Sequence, residues 1–315
     1  MNAARLLAAF LAWSARHGGV LLGIGVFVGV LVPPLAHLLH PILAPCVIGL
    51  MTLVLLRVDI AAALFHLRRP VRLAFIVGTL ALACPVLAWA LATHLALDAG
   101  IAAGVVIFAT GCAATSGAAF ARMVGLDPEL SLLVTLVTTL LVPLTAPPIT
   151  YALIGVDLAI SLPEFMARLA LVVGLPLLLS IAIRRVAGQA RLTPLGPAVD
   201  GAVVWLVLLY GVGVMDGLAA RLGSDPWWVA QALIAAFAAD FGLNLATTLV
   251  LAPLGWHAAA SAGMLSGNRN MALYLAVLPA AADPRLALFF ALCQFPLFLS
   301  PFLLRPIYRR VLKPR

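Results

Sequence analysis

The sequence predicts an all-α integral membrane protein of ten transmembrane helices. Three observations carry this. Of 315 residues, 64% are apolar and only 10% charged, with a mean hydropathy of +1.17. A water-soluble domain of this size would lack the charge to cover its surface. Apolar stretches of about 20 residues recur along the chain, the length a helix needs to cross a bilayer. They lack the period-two alternation of a membrane barrel. Lysine and arginine gather on alternate connections, which fixes an orientation.

The spans fall at about residues 19–39, 42–63, 70–94, 101–123, 128–153, 160–184, 197–220, 226–253, 257–280 and 284–307. With the N-terminus in the cytoplasm, Arg5, Arg16, Arg57, Arg68, Arg69, Arg72, Arg122, Arg184, Arg185 and Arg191 lie inside. So do Arg305, Arg309, Arg310, Lys313 and Arg315, whereas only Arg168, Arg221 and Arg285 lie outside. This asymmetry predicts cytoplasmic N- and C-termini; a bacterial inner membrane is the expected location. The net charge of +8 is therefore read as orientation and contact with anionic membrane lipid, not as nucleic-acid binding.

Residues 1–18 read as an interfacial N-terminal segment, since Arg16-His17 interrupts the place of a signal-peptide cleavage site. Asp59–Arg69 reads as the cytoplasmic end of the second span turning into the interface. Cys46, Cys84, Cys112 and Cys293 are scattered in apolar runs, with no disulfide framework, metal-ligand set or cofactor motif.

Five spans lie in residues 19–153 and five in 154–315. An odd number per half inserts the second half upside down, giving two inverted five-helix repeats. The fourth span of each is broken by small and polar residues. The first break is Thr110-Gly111-Cys112-Ala113-Ala114-Thr115-Ser116-Gly117; the second is Gly263-Met264-Leu265-Ser266-Gly267-Asn268-Arg269-Asn270. Paired interruptions at corresponding positions point to a transporter site. An unwound helix frees backbone polar groups, which lipid cannot satisfy and a cavity, ion or substrate can. Close helix packing through small residues is the plainer account, but packing alone does not need Asn-Arg-Asn.

Arg269 is the sharpest signal. A guanidinium deep in a bilayer costs several kcal/mol and is tolerated beside a counter-ion, a substrate or water. Asp240 lies mid-span in the preceding segment, with Asn244 one turn on along the same face. Asp240 is expected to pair with Arg269; alone in a solvated cavity is the alternative.

Three stretches carry a resemblance. They are Gly111-Cys112-Ala113-Ala114-Thr115-Ser116, Leu126-Asp127-Pro128-Glu129-Leu130-Ser131, and the run from Thr135 to Pro147 (TLVTTLLVPLTAP). Together they resemble the bile acid:sodium symporter family, whose fourth and fifth helices carry a pattern of the type GGTxSN…GDxALS…TxxSTLLxPLxTP. Gly267-Asn268-Arg269-Asn270-Met271-Ala272-Leu273 resembles that family's ninth-helix motif, ExGxQNxxLA. The resemblance runs over about residues 20 to 307. It implies core and panel domains and crossing discontinuous helices 4 and 9. It also implies transport of a small organic anion by alternating access.

The family's sodium sites, however, are not matched. Its Ser-Asn pair reads Gly117-Ala118, its Glu reads Leu265, its Gln reads Arg269, and the third-helix Gln reads Leu80. Ser131, Thr135, Thr138 and Asn270 remain. Sodium needs several hard oxygen ligands, by analogy with other hard cations. The expectation is a sodium-independent secondary transporter. Arg269 either replaces the sodium charge, with Asp240, Asn244, Ser131, Thr135 and Thr138 around it, or meets the substrate. In the second case it acts beside Thr115, Ser116, Gly117, Asn268 and Asn270. Proton coupling through Asp240 and ordinary sodium coupling are alternatives. A non-transporting receptor, or an intramembrane enzyme, is a reading of another class. Neither HExxH nor GxSxG occurs, and no mid-span His stands near a Ser, so the chain is read as no enzyme.

Overall fold

Proline punctuates this chain, and most of its long helices start on one. A computed structural model describes residues 3–56, 70–155, 159–279 and 282–311. The first half contributes α1 (Ala3–Arg16), α2 (Gly18–Leu31), α3 (Pro33–Leu56), α4 (Pro70–His94), α5 (Ala99–Thr110), α6 (Gly117–Val124) and α7 (Pro128–Ile154). The second contributes α8 (Leu162–Ala187), α9 (Thr193–Ser224), α10 (Pro226–Leu254), α11 (Trp256–Gly267), α12 (Met271–Val277) and α13 (Pro284–Arg310). Seven of these, α3, α4, α7, α8, α9, α10 and α13, are long and apolar enough to cross a membrane. Five of the seven begin on proline, whose fixed φ suits the first helical position and whose missing N–H is unpaired there anyway. Among the described residues there is no β-strand beyond one isolated bridge.

The expected boundary between the first two spans moves. The sequence puts it near residue 40, but α2 stops at Leu31 and α3 starts at Pro33. Val32, at φ −123° and ψ 71°, has left the helical region, as a residue before proline tends to do. Residues 57–69, with Arg57, Arg68, Arg69 and the expected interfacial turn, lie outside the described residues, as do Lys313 and Arg315.

Two compact units emerge, and each draws on both halves of the chain: 1–58 with 171–226, and 59–170 with 227–315. In the first unit, α1, α2 and α3 all pack on α9. Small residues allow the approach. A Cβ on Gly201 would overlap the Leu11 backbone, and one on Gly29 would lie 2.6 Å from the Val212 carbonyl. Trp205 donates its indole N–H to Ser14 Oγ at 3.1 Å, tying α1 to α9. Asp216 lies 3.2 Å from His37 and 3.7 Å from His40.

The second unit holds both broken segments. Its apolar core joins α4, α7, α10 and α11 through Ile76, Leu80, Val134, Leu251, Ala259, Ala262 and Leu265. A second cluster joins α6, α11 and α13 through Ala121, Val124, Ala260, Met264, Leu304 and Tyr308.

Asp127 and Asp98 cap α7 and α5. Asp127 accepts from the N–H groups of Glu129 and Leu130 at 3.1 and 3.0 Å. Asp98 accepts from Gly100 and Ile101 at 3.0 and 3.3 Å, and from the Trp228 indole at 3.1 Å. Partial burial alone would raise the Asp98 carboxyl. The indole, the Ile101 amide, Arg285 and the Gly100 amide outweigh it and hold the group below its ordinary value. A depressed folded-state value stabilises above the unfolded value, near pH 4, and the gain disappears as pH falls through the folded one. Asp98→Ala is expected to cost about 1 kcal/mol, the usual loss of an N-cap. The difference in melting temperature between wild type and variant should narrow as the pH is lowered below 4.

Candidate functional site

The two interruptions meet. The helix of α5 ends at Thr110, and the chain runs extended through Gly111, at φ −60° and ψ 155°, before α6 begins at Gly117. The helix of α11 ends at Gly267, and Asn268, Arg269 and Asn270 separate it from α12. Ala113 and Arg269 form an antiparallel bridge. Ala114 donates its N–H to the Asn268 carbonyl at 2.8 Å, and Asn270 donates to the Cys112 carbonyl at 2.9 Å. The Ala113 N–H goes to Thr138 Oγ1 on α7 at 3.2 Å. The unwound segments thus satisfy much of each other's backbone, as a water-poor interior requires.

Arg269 lies between them, 1% exposed. Its Nε donates to the Ser266 carbonyl at 2.7 Å, Nη1 to the Gly111 carbonyl at 2.5 Å, and Nη2 to the Leu80 carbonyl at 3.0 Å. Each acceptor has a local reason to be open. Ser266 lies in the last turn of α11, and Gly111 caps the C-terminal end of α5. The last carbonyls of a helix have no intrahelical donor. Leu80 lies in a π-helical turn of α4, Thr79–Ala83, where Cys84 donates its N–H back to Thr79. The next donor in that register would be residue 85, a proline without an N–H. One planar guanidinium therefore collects carbonyls from three elements.

The electrostatics balance without a carboxylate. A helix C-terminus carries about half a negative elementary charge. The guanidinium faces two such ends, those of α5 and α11, which together match one positive charge. The expected Arg269–Asp240 salt bridge is absent, a correction to the sequence reading. Asp240 is 1% exposed, and neither of its carboxylate oxygens has a hydrogen-bond partner. It lies instead against Gly267, where a Cβ would come within 3.0 Å of Asp240 Oδ1. Neighbouring spans bring two helices together without fixing which residues face each other.

The other expected site residues divide. Asn268 is fully buried and spends its side chain internally: Nδ2 donates to the Met264 carbonyl at 2.9 Å, and Oδ1 accepts from Ser300 at 3.0 Å. Ser131 and Thr138 donate their hydroxyls to carbonyls of α7's own start and first turns, those of Asp127 and Val134. Thr135 Oγ1 is buried without a partner, 3.2 Å from where a Cβ on Gly117 would stand. Asn244 Oδ1 accepts from the Tyr308 hydroxyl at 2.9 Å, facing α13. Thr115 and Ser116 are half-buried at the entry to α6, and Asn270 is buried. The Leu80 and Gly111 carbonyls were missed by sequence reasoning, which looked at Leu80 only for a side-chain oxygen. A proline five residues on was the available signal.

Among the described residues, no group of His, Cys, Asp and Glu is placed to hold a metal ion. All four cysteines are buried and free.

Long apolar helices, with two broken ones locked by a buried arginine, describe an integral membrane protein. The sequence pattern of the Sodium Bile acid symporter family matches residues 44–220, more than half of the chain, and the chain belongs to that family. It is thus a membrane transporter of the bile-acid type. The match takes in the first break and α7; the second break, with Arg269, lies beyond it. No curated protein matches the chain.

Proposed function

We infer that the protein carries a small organic anion across the membrane by alternating access, without sodium. Arg269 stands as a fixed charge where relatives would use the ion. The observation that supports this is the guanidinium's donation to the Ser266, Gly111 and Leu80 carbonyls. Carbonyl oxygens at two helix C-termini are the surroundings a bound cation would want. Leu265 and Gly117 occupy two of the positions that would supply side-chain oxygens, and a Cβ on Gly117 would already overlap Leu265. The alternative in which Arg269 reads the substrate is disfavoured by the same bonds, because the side chain is buried and turned to the backbone. Polar groups left for an anion are those of Thr115, Ser116 and Asn270. The ten-span, inverted-repeat topology with both termini in the cytoplasm of a bacterial inner membrane belongs to this reading, on the distribution of basic residues.

Sodium chloride should leave the melting temperature where potassium chloride of equal ionic strength leaves it, since a ligand of the folded state raises stability by mass action. In proteoliposomes, uptake of taurocholate should be equal in sodium and potassium buffers. A sodium-specific rise in melting temperature would overturn sodium independence.

A further inference from the structure

Asp240 is a second charge-bearing group that the carbonyl clamp does not use. It is 1% exposed, and both carboxylate oxygens lie without a donor. Leaving a buried carboxylate unpaired is among the costliest arrangements in a protein interior. The surroundings do not relieve it. From α11, Gly267 brings the helix's C-terminal turn against Oδ1, and that end carries partial negative charge. On its own helix, Asn244, one turn on, turns its Oδ1 to the Tyr308 hydroxyl and leaves Nδ2 unpaired.

From α13, Cys293 and Tyr308 are within electrostatic reach of Asp240, and neither is a cation. Cys84 of α4 contacts Thr247, two turns along α10 from Asp240. Arg269, in the break, donates to its three carbonyls. His257 at the start of α11, Arg122 of α6, and Arg305, Arg309 and Arg310 of α13 are exposed.

We propose that Asp240 is a proton-binding site, and that its proton is the mobile co-ion moved with the anionic substrate. This rests on the reading of Arg269 as a fixed charge. A covalently held guanidinium cannot leave with the substrate, so it cannot couple transport to a gradient. A carboxyl group can. One O–H bond forms at Asp240 with a proton taken from water on one side of the membrane. The same bond breaks on the other side, returning the proton to water, and no electrons change hands. One proton with one monovalent anion is an electroneutral load.

Infrared difference spectra of the protein in lipid, recorded across a pH titration, test the site without any substrate. A carbonyl stretch of a protonated carboxylic acid should fade as pH rises, and Asp240→Asn should lack it. Asp240→Glu, which keeps an acid, should retain a titrating band and guards against a folding defect in the first variant. Identical wild-type and Asp240→Asn spectra overturn the proposal. Coupling is tested with taurocholate, a conjugate that stays ionised, in proteoliposomes with the membrane potential clamped. An acidic exterior should raise wild-type uptake several-fold, with no such stimulation in Asp240→Asn. Wild-type uptake indifferent to the gradient overturns the proton as co-ion and leaves anion transport standing. A titrating band with no taurocholate uptake under any gradient upholds the proton site and defeats taurocholate as the anion carried.

Discussion

Replacing Arg269 with glutamine should strongly destabilise the fold in the absence of any substrate. The side chain donates to carbonyls on α4, α5 and α11. Glutamine has two amide protons on one nitrogen, so it cannot reach all three directions. Each carbonyl left unsatisfied costs about 1–3 kcal/mol. The charge is lost as well, leaving the negative ends of α5 and α11 facing each other. Removing one member of a buried charged arrangement typically costs about 3–5 kcal/mol, a large part of a net stability of about 5–15 kcal/mol. The measurement is the melting temperature of apo protein in detergent, with yield of monodisperse protein as a second readout. Arg269→Lys should fall between, because it keeps the charge but not the planar fork. Asp240→Asn should not rescue Arg269→Gln, since the two side chains are not paired. A glutamine variant melting with the wild type would show that Arg269 does not hold the two breaks together.

What was legible in the sequence follows from where each signal resides. A charge and a glycine-interrupted segment are properties of side chains and spacing, so Arg269 and both breaks could be read directly. The acceptors could not, because every residue has a carbonyl. Which ones are free depends on where helices stop. Gly111 and Ser266 become acceptors only because α5 and α11 end there, and Leu80 only because Pro85 forces a wider turn in α4. The Asp240 pairing failed for a related reason. Sequence reasoning matched opposite charges in adjacent spans, whereas the guanidinium found its negative counterpart in backbone dipoles. Helix character was plain from composition. The start of α3 was not, because residues 19–39 read as one apolar run and only Pro33-Pro34 marks the interruption. The fold into two units, each taking elements from both halves, has no local signature at all.

A second large effect is expected at Gly263, where α11 lies against α10. A Cβ there would overlap Thr248 Oγ1 and stand 2.6 Å from the Asn244 carbonyl and 3.1 Å from Asn244 Oδ1. The threonine side chain can turn away. The carbonyl belongs to the helix backbone and cannot, so α10 and α11 must separate. Overpacking a filled interior costs about 1–3 kcal/mol, and more where backbone has to move. The separation would also act at a distance, because Ser266, three residues on, donates its hydroxyl to the Leu243 carbonyl at 2.9 Å and offers its own carbonyl to Arg269. Gly263→Ala should therefore lower the melting temperature and loosen the arginine clamp together. Gly242→Ala is the internal control. It lies on α10 with nothing within 4 Å of the added methyl, and alanine is the better helix former by about 1 kcal/mol. It should be neutral or stabilising. Hydrogen exchange at the Ala114 and Asn270 amides, which bridge the two breaks, would separate local loosening from global loss. Faster exchange there in Gly263→Ala, with Gly242→Ala unchanged, is the expected result. Equal melting temperatures for the two variants would show that the α10–α11 contact is not the close packing described here.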